Sequence, residues 1–570
     1  MKRQLFKDKR SLYILCIGFA IILTAFSTSE KDLLKSRYMD LFNTIYKELD
    51  LLYVDTINPK QTIKAGIEGM LAQLDPYTEF YDEDENEDLE IMTKGTYGGI
   101  GSYIVQHGDY VAISEPYEGQ AAYQAGLKAG DLILEIDGED MKGKKNAYVS
   151  EKLRGEVGTK FRIKVRRPGE KKDIEREVTR QTIQFPLVPY YGIVRDSIGY
   201  INIAGFNGHP SAEVRKAFIE LKQKGIKGII IDIRNNTGGI LDEAVAIANI
   251  FVPRGETIVS MKGRIRQSEQ IYKTTQEPVD TVIPVVVMVN SISASASEIL
   301  AGAMQDLDRG VIVGKRTFGK GLVQNIRQLP YGGNLKVTIA KYYTPSGRCI
   351  QAIDYSHRNE DGSVGRVPDS LTRVFYTKAG RKVRDGGGIT PDVEIAPEKF
   401  SNNILYYLIT ENIIFDYATD YCLQHEHIAQ ADSFSITDAD YENFKKRVLD
   451  SDFKYDRQSE KFLKSLKEVA EFEGYTETAK AEFEALEKKL QHDPEHDLNY
   501  FKKDITDYIN YEIVKRYYFQ KGGLMQQLKH DEEIDEAAGI INDRARYAQL
   551  LSPAKEEATA TDRAKSMENE

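Results

Sequence analysis

Residues 290–324 read NSISASASEILAGAMQDLDRGVIVGKRTFGKGLVQ. Just before them, Pro284-Val285-Val286-Val287-Met288-Val289 is a short β-branched run closed by Asn290 and Ser291, which predicts a buried strand. Ser291, Ser293, Ser295 and Ser297 then alternate with small residues, and Ile299, Leu300, Ala303 and Met304 follow at the spacing of one helix face. The serines therefore fall on a tight strand-to-helix turn, where unpaired backbone N–H groups favour an anion. A second strand over residues 310–314 leads into Thr317-Phe318-Gly319-Lys320-Gly321, a lysine between two glycines. If residues 320–324 are extended, the Lys320 and Gln324 side chains point to the same face.

Two chemistries fit this arrangement. A serine becomes a nucleophile only when a base takes its proton, and a lysine is a base only when neutral. Burial among apolar groups such as Phe318, Leu322 and Val323 would favour that state. Alternatively, Ser295-x-x-Glu298 is a capping box and Lys320 an anion-binding loop lysine. Residue chemistry alone neither separates these readings nor chooses among the four serines.

Ser293-Ala294-Ser295-Ala296-Ser297-Glu298, followed by Phe318-Gly319-Lys320-Gly321 and Gln324, resembles the signature of the carboxyl-terminal processing peptidases, or tail-specific proteases. The resemblance implies Ser295 as nucleophile, Lys320 as general base and Gln324 as the residue that orients the base. Asp306 matches an aspartate of the family and is read as structural. The implied fold is α/β, a crotonase- and ClpP-like layered protease core with an N-terminal helical segment, a PDZ domain and a C-terminal helical extension. Neither metal nor cofactor is implied.

The remaining sequence is consistent with that plan. A length of 570 residues leads us to expect three or four domains, and 41% hydrophobic with 29% charged residues describes globular domains with ample cores. A net charge of −11, without a basic aromatic-rich patch, argues against a nucleic-acid partner. Cys16, Cys349 and Cys422 make no disulfide framework, and free thiols are expected. Lys2, Arg3, Lys7, Lys9 and Arg10 precede an apolar run over residues 12–26. At ~1.5 Å per residue that run reaches about 22 Å, short of the ~30 Å hydrocarbon core. It reads as an export signal, with Ala25-Phe26-Ser27 fitting a cleavage site, or as a short anchor. Either way the chain is expected in the periplasm, or held in the cytoplasmic membrane facing it.

The expected boundaries are 1–28 for signal or anchor, 29–92 for the helical segment, 93–183 for the PDZ domain, 184–399 for the peptidase core, 400–552 for the helical extension and 553–570 for a polar tail. Tyr97-Gly98-Gly99-Ile100-Gly101 reads as a glycine-rich loop entering a strand, a geometry that suits a carboxylate. Residues 125–138, AGLKAGDLILEIDG, resemble the second half of a PDZ domain, and residues 155–165 are expected to give its last strand. Gly98, Gly99, Ile100 and Gly101 thus become the substrate-binding candidates for C-terminal tails of proteins or peptides. Asp232-Ile233-Arg234-Asn235-Asn236-Thr237-Gly238-Gly239 closes another buried strand, and its glycines could offer N–H groups to an oxyanion. The resemblance assigns that role to Gly239 and Ala296, with Gly238 as the alternative. No histidine has a triad context, and His425-x-His427 and His492-x-x-x-His496 read as solvated rather than metal-binding.

Two helical stripes follow residue 400. One is Phe462, Leu463, Leu466, Val469 and Phe472; the other is Phe501, Ile505, Tyr508, Ile509 and Val514. Both are expected to face a core. For the extension as a whole, packing on the protease, self-association and adaptor docking all fit. A catalytically silent PDZ scaffold and a crotonase-like acyl-transfer enzyme are the rival functions.

Overall fold

The computed structural model describes residues 30–355, 357–359, 363–396, 402–490 and 493–553; the apolar run at 12–26 and nearly all of the polar tail lie outside them. The described residues form two compact units that divide between Phe80 and Tyr81. In the first, α1 (Glu30–Leu52) and α2 (Pro59–Leu71) are both helical. Asn58 caps α2 by accepting from the Gln61 N–H, and Pro59 occupies the first helical position, where its missing N–H costs nothing.

The second unit begins with a PDZ-like module. β1 (Thr96–Gly99), β2 (Ser102–His107), β3 (Tyr110–Pro116), β4 (Leu132–Ile136), α3 (Asn146–Leu153), β5 (Lys160–Arg166), β6 (Ile174–Thr179) and β7 (Gln181–Gln184) follow in order. The main sheet is antiparallel, in the order β2-β3-β4-β5-β6, so β2 is an edge strand. The strand at 160–166 is not the last, as the sequence led us to expect. β6 follows it in the same sheet, and β7 pairs with β1. The missed strands bury a single residue each, Val178 and Ile183, so their hydrophobic alternation is too sparse to read.

The central sheet follows: β8 (Tyr190–Val194), β9 (Ile198–Asn202), α4 (Pro210–Gln223), β10 (Gly228–Asp232), α5 (Leu241–Ala248), β11 (Thr257–Gly263), β12 (Val285–Val289), α6 (Ala296–Asp306), β13 (Val311–Gly314), β14 (Leu322–Gln328), β15 (Asn334–Tyr343) and β16 (Val393–Glu394). Its order is β8-β9-β10-β12-β13-β16, parallel except where β8 runs against β9. Every residue of β10 and β12 is buried, as a parallel strand covered on both faces requires. Helices α4, α5 and α6 cover one face through Phe218, Ala244, Ile247 and Leu300. β11, β14 and β15 form an antiparallel layer beside them.

The other face is covered from far along the chain. The extension continues as α7 (Asn403–Thr410), α8 (Ile413–Gln424), α9 (Asp438–Leu449), α10 (Gln458–Phe472), α11 (Lys480–Lys489), α12 (Pro494–Tyr500), α13 (Lys502–Gln527), α14 (Glu532–Asn542) and α15 (Arg544–Leu550). Ile534, Ala537, Ile540 and Ile541 of α14 pack on Tyr200, Ile230, Val286 and Val313 of the sheet. At Gly228 an added Cβ would lie 2.2 Å from Ile541 Cγ2, so that strand admits no side chain under the helix. Arg234, just past β10, donates to Asp531 and Glu533 at 2.8 and 2.9 Å and fastens the start of α14 to the strand end.

Of the two expected stripes, Ile505, Ile509 and Val514 on α13 are buried in the core of the extension. Of the α10 stripe, Leu463 is buried, whereas Phe462, Leu466, Val469 and Phe472 are exposed, which corrects the core assignment for that stripe. Periodicity shows that a face is apolar and cannot show that something covers it.

Candidate active site

The serine turn joins β12 to α6. Its four serines have separate fates. Ser291 is exposed. Ser293 and Ser297 are fully buried, and their hydroxyls donate to the carbonyls of Ile233 and Asn236, each at 2.8 Å. Both therefore pin the serine turn to the segment that follows β10. Ser295 is half-buried and takes φ +56°, ψ −115°, a region non-glycine residues rarely occupy. A strained residue at a strand-to-helix turn is held there by its surroundings, and such sites cluster at functional positions.

Those surroundings centre on Glu298, which is fully buried. One carboxylate oxygen, Oε2, accepts from the Ser295 N–H at 2.9 Å and from the Lys320 N–H at 2.8 Å. The other accepts from the Thr317 hydroxyl at 2.6 Å and the Gly319 N–H at 2.7 Å. Burial raises this carboxyl and the four donors oppose it, a balance that leaves it pushed up to about 7. Four donors around two oxygens suit the ionised form, since a proton on either oxygen would face an N–H. The sequence offers Glu298 as a helix cap; the structure gives it a second partner segment and brings the backbones of Ser295 and Lys320 within two hydrogen-bond lengths. Tyr342 reinforces the join: its hydroxyl bonds the Lys320 carbonyl and lies 3.2 Å from the Ser295 carbonyl.

Lys320 is half-buried, and Leu322 beside it is buried. Residues 320–324 are not one regular strand, because β14 starts at Leu322 and its register slips between Val323 and Gln324. The simple alternation that would set Lys320 and Gln324 on one face is therefore interrupted by a bulge. Gln324 is half-buried, and its amide donates to Thr338 Oγ1 at 3.1 Å.

The glycine turn after β10 lies directly against the serine turn. Gly238 has φ +104°, and a Cβ there would meet the Ala294 carbonyl at 2.7 Å and Ser295 Cβ at 2.8 Å. Its N–H is already donated to Asn236 Oδ1 at 2.9 Å. Among the described residues, the N–H groups of Gly239 and Ala296 are donated to no protein acceptor. Buried Asn236, unremarked in the sequence, holds the turn through the Ile203 carbonyl at 2.8 Å, and its own carbonyl accepts from the Ala294 N–H at 3.1 Å. Asp306 pairs with buried Arg348 at 2.8 Å and accepts from the Ser346 N–H at 3.0 Å.

At the PDZ module, Gly98 and Gly99 lie in β1, paired with Thr182 and Gln181, rather than in an open loop. Ile100 and Gly101 form the bend into β2. Their carbonyls accept from Ala122 at 2.7 Å and Tyr117 at 2.9 Å, while their N–H groups are donated to no protein acceptor among the described residues. Arg154 stands over the Tyr97 ring at 5.3 Å. His209 faces Glu243, His107 faces Asp416 and His425 stacks on Tyr421. Among the described residues no cluster of three or more His, Cys, Asp or Glu is arranged to hold a metal. Cys349 and Cys422 are free thiols.

Residues 197–357 match peptidase family S41, residues 113–167 a PDZ domain, and residues 404–541 the C-terminal helical domain described for a probable PDZ-protease. A carboxy-terminal-processing protease of Bartonella bacilliformis is 34% identical over 316 residues, 55% of this chain and 72% of that protein. A probable CtpA-like serine protease of Staphylococcus aureus is 33% identical over 318 residues, 55% of this chain and 62% of that one. The solved photosystem II D1 C-terminal processing protease aligns with 63% of this chain and 88% of its own, at 30% identity and a TM-score of 0.36.

Proposed function

The chain belongs to peptidase family S41 and is a carboxy-terminal-processing serine-type endopeptidase with a PDZ domain; on that premise we propose that Ser295 and Lys320 carry the chemistry outside the cytoplasm. The neutral Lys320 amine takes the Ser295 proton, and Oγ attacks the scissile carbonyl. The oxyanion that forms is held by the N–H groups of Gly239 and Ala296. Gly238 is the weaker candidate, since its own N–H is committed to Asn236. As the tetrahedral species collapses, the leaving amine takes the proton back from Lys320 and an acyl-enzyme remains. Water, deprotonated by the same lysine, then frees Ser295. Gln324 orients the amine.

One observation carries this reading: a single buried oxygen of Glu298 accepts from both the Ser295 and the Lys320 N–H, holding nucleophile and base on one anchor. Substrate selection falls to the PDZ module, where the N–H groups of Ile100 and Gly101 would take a tail carboxylate beside Gly98 and Gly99, and β2 would take the tail as an added strand. Export is supported by the basic start and the apolar run at 12–26.

The test is incubation of a protein bearing an apolar C-terminal tail with the wild type and with Ser295→Ala, read by intact mass. Cleavage by the wild type alone is expected, and it should weaken when the tail is amidated. Undiminished proteolysis by Ser295→Ala would remove the nucleophile, and equal turnover of amidated and free tails below saturation would remove the tail reading. Recovery of the full-length protein solely from the cytosol would overturn export.

A further inference from the structure

The open edge of β2 is not bare. In an antiparallel pair, residues alternate between those bonded to the neighbour and those whose backbone groups point away from it. Ile104 and Gln106 are two apart on β2, and both carbonyls are taken by side-chain amides that come from outside the sheet. The two caps differ. On Ile104 the donor is Asn146 Nδ2 of α3 at 3.4 Å, near the limit of a hydrogen bond, and the Oδ1 of the same side chain is buried without a partner. On Gln106 the donor is Asn412 Nδ2 at 2.9 Å, from the residue that precedes α8 in the helical extension.

Asn412 is firmly seated. It adopts φ +62°, and one turn later Asp416 Oδ1 meets His107 Nε2 at 2.8 Å. Phe415 lies against the His107 ring with centroids 6.2 Å apart, and its carbonyl accepts from Arg516 at 3.0 Å. Further along α8, an added Cβ at Gly130 of the PDZ module would sit 2.6 Å from Thr419 Cγ2, so the two surfaces touch at backbone distance. The first turn of α8 is thus a fixed part of the far end of the edge, whereas the Asn146 side chain is a loosely held placeholder, although its backbone N–H donates to Gln106 Oε1 at 3.1 Å.

A tail whose last residue lies beside Ser102, just past the Gly98–Gly101 bend, runs antiparallel to β2. It meets Ile104 with its third residue from the end and Gln106 with its fifth. The third position requires only that Asn146 let go. The fifth is occupied by the extension. We propose that the first turn of α8 is a stop on the edge of the PDZ domain, confining strand addition to the last three or four residues of a substrate tail. Asn412 and the Asp416–His107 pair then set the length of sequence that is read. This inference rests on the proposed tail recognition and adds its limit.

The experiment uses the full-length Ser295→Ala chain and free-acid peptides ending in one apolar tripeptide, extended at the amino end with glycine and serine to five and then seven residues. Binding is followed by calorimetry, with the amidated peptides as controls. Affinity should level off beyond the tripeptide in Ser295→Ala. In Ser295→Ala carrying Asn412→Gly, which keeps the left-handed backbone, it should gain about five-fold at five residues, the worth of one freed hydrogen bond. Adding Asp416→Ala should extend the gain to seven residues; if that variant melts early, Asn412→Gly alone decides. A rise through seven residues without either substitution, or no gain in Asn412→Gly, overturns the stop while leaving tail recognition standing. Free-acid peptides that bind no better than amidated ones at any length overturn both.

Discussion

The serine turn and the edge of β2, to which catalysis and tail recognition are proposed to fall, are held in opposite ways. Around Ser295 the neighbouring polar groups are committed: Glu298 has four donors, Ser293 and Ser297 are bonded to carbonyls, and Asn236 is bonded on both sides of its amide. At β2 the outward carbonyls carry two side-chain amides, one of them marginal. Electrostatic stabilisation works when dipoles are fixed before charge develops, so chemistry benefits from a saturated network. Strand addition needs groups that can exchange partners, so recognition benefits from weak caps. Substitutions should therefore act on turnover at the first region and on binding at the second.

The largest effects are expected at the proposed nucleophile and base. Ser295→Ala and Lys320→Ala should each lower kcat by roughly ten-thousand-fold in a peptide-cleavage assay, with little change in tail binding. Lys320→Arg should be nearly as damaging, because a guanidinium does not release its proton at workable pH. Near-normal turnover by Lys320→Arg would break the comparison at its centre.

Next in size is Glu298→Gln, which places an amide NH2 among N–H donors. A loss of roughly a hundred-fold in kcat is expected, about the cost of one repelled and one lost charge-assisted bond, with KM nearly unchanged. The pH dependence sharpens this. Burial holds the Glu298 carboxyl at about 7, above its unfolded value, so the folded chain binds the extra proton and stability falls as pH rises toward 7. Turnover should move the other way, falling as pH drops through about 7, because protonation removes an acceptor from Ser295 and Lys320. Glu298→Gln should lose this component of the acid limb. An unchanged pH profile in that variant would reduce Glu298 to a helix cap.

The serines around Ser295 should separate by burial. Ser293→Ala and Ser297→Ala each remove one of two hydrogen bonds to a buried carbonyl, since Ile233 and Asn236 keep the N–H groups of Asn236 and Ala294, and each should cost about 1 kcal/mol of stability in denaturant titration, with substantial activity retained. Ser291→Ala, on the surface, should stay within about 0.5 kcal/mol of wild type. A collapse of kcat in Ser297→Ala without loss of stability would move the nucleophile assignment.

Much of this was legible in the sequence, for identifiable reasons. The strand at 285–289 and the helix beginning at Ala296 follow from a β-branched run and a helical spacing that local physics alone specifies. The family resemblance rests on short motifs at fixed spacing, at residues 293–298, 318–321 and 324, which the match over residues 197–357 supports. What was not legible depends on partners distant in sequence. Glu298 looks like any capping residue until Thr317 and Lys320 close over it. The fully buried strands 228–232 and 285–289 require two covers, yet nothing in them says that α14, some 250–300 residues later, is one. The α10 stripe shows the converse, an apolar periodicity left uncovered on Phe462 and Phe472. Gly98 and Gly99 read as a loop because glycines punctuate chains, and they proved to be strand residues, since β7 was too weakly patterned to announce a partner.

The smallest expected effect lies at the far end of the recognition edge and tests whether that end is held by its ion pair or by packing. His107 hydrogen-bonds Asp416, which raises its pKa above the ordinary 6.5 even though partial burial opposes the charge. A raised histidine value means the folded chain holds the proton more tightly than the unfolded chain. The stabilisation is complete below about 6.5 and fades as pH rises through the folded value. Both side chains are partly exposed, at 27% and 40%, so solvent screening keeps the contribution below about 1 kcal/mol. Thermal melts of wild type and Asp416→Asn across this range should therefore differ most at the acid end and converge at the alkaline end. The same loosening should let seven-residue tails gain on five-residue ones as pH rises in the Ser295→Ala chain that also carries Asn412→Gly. A melting difference that does not vary with pH would show that the contact between α8 and β2 is held by packing alone. The recognition edge would then be as rigid at its end as the serine turn is at its centre.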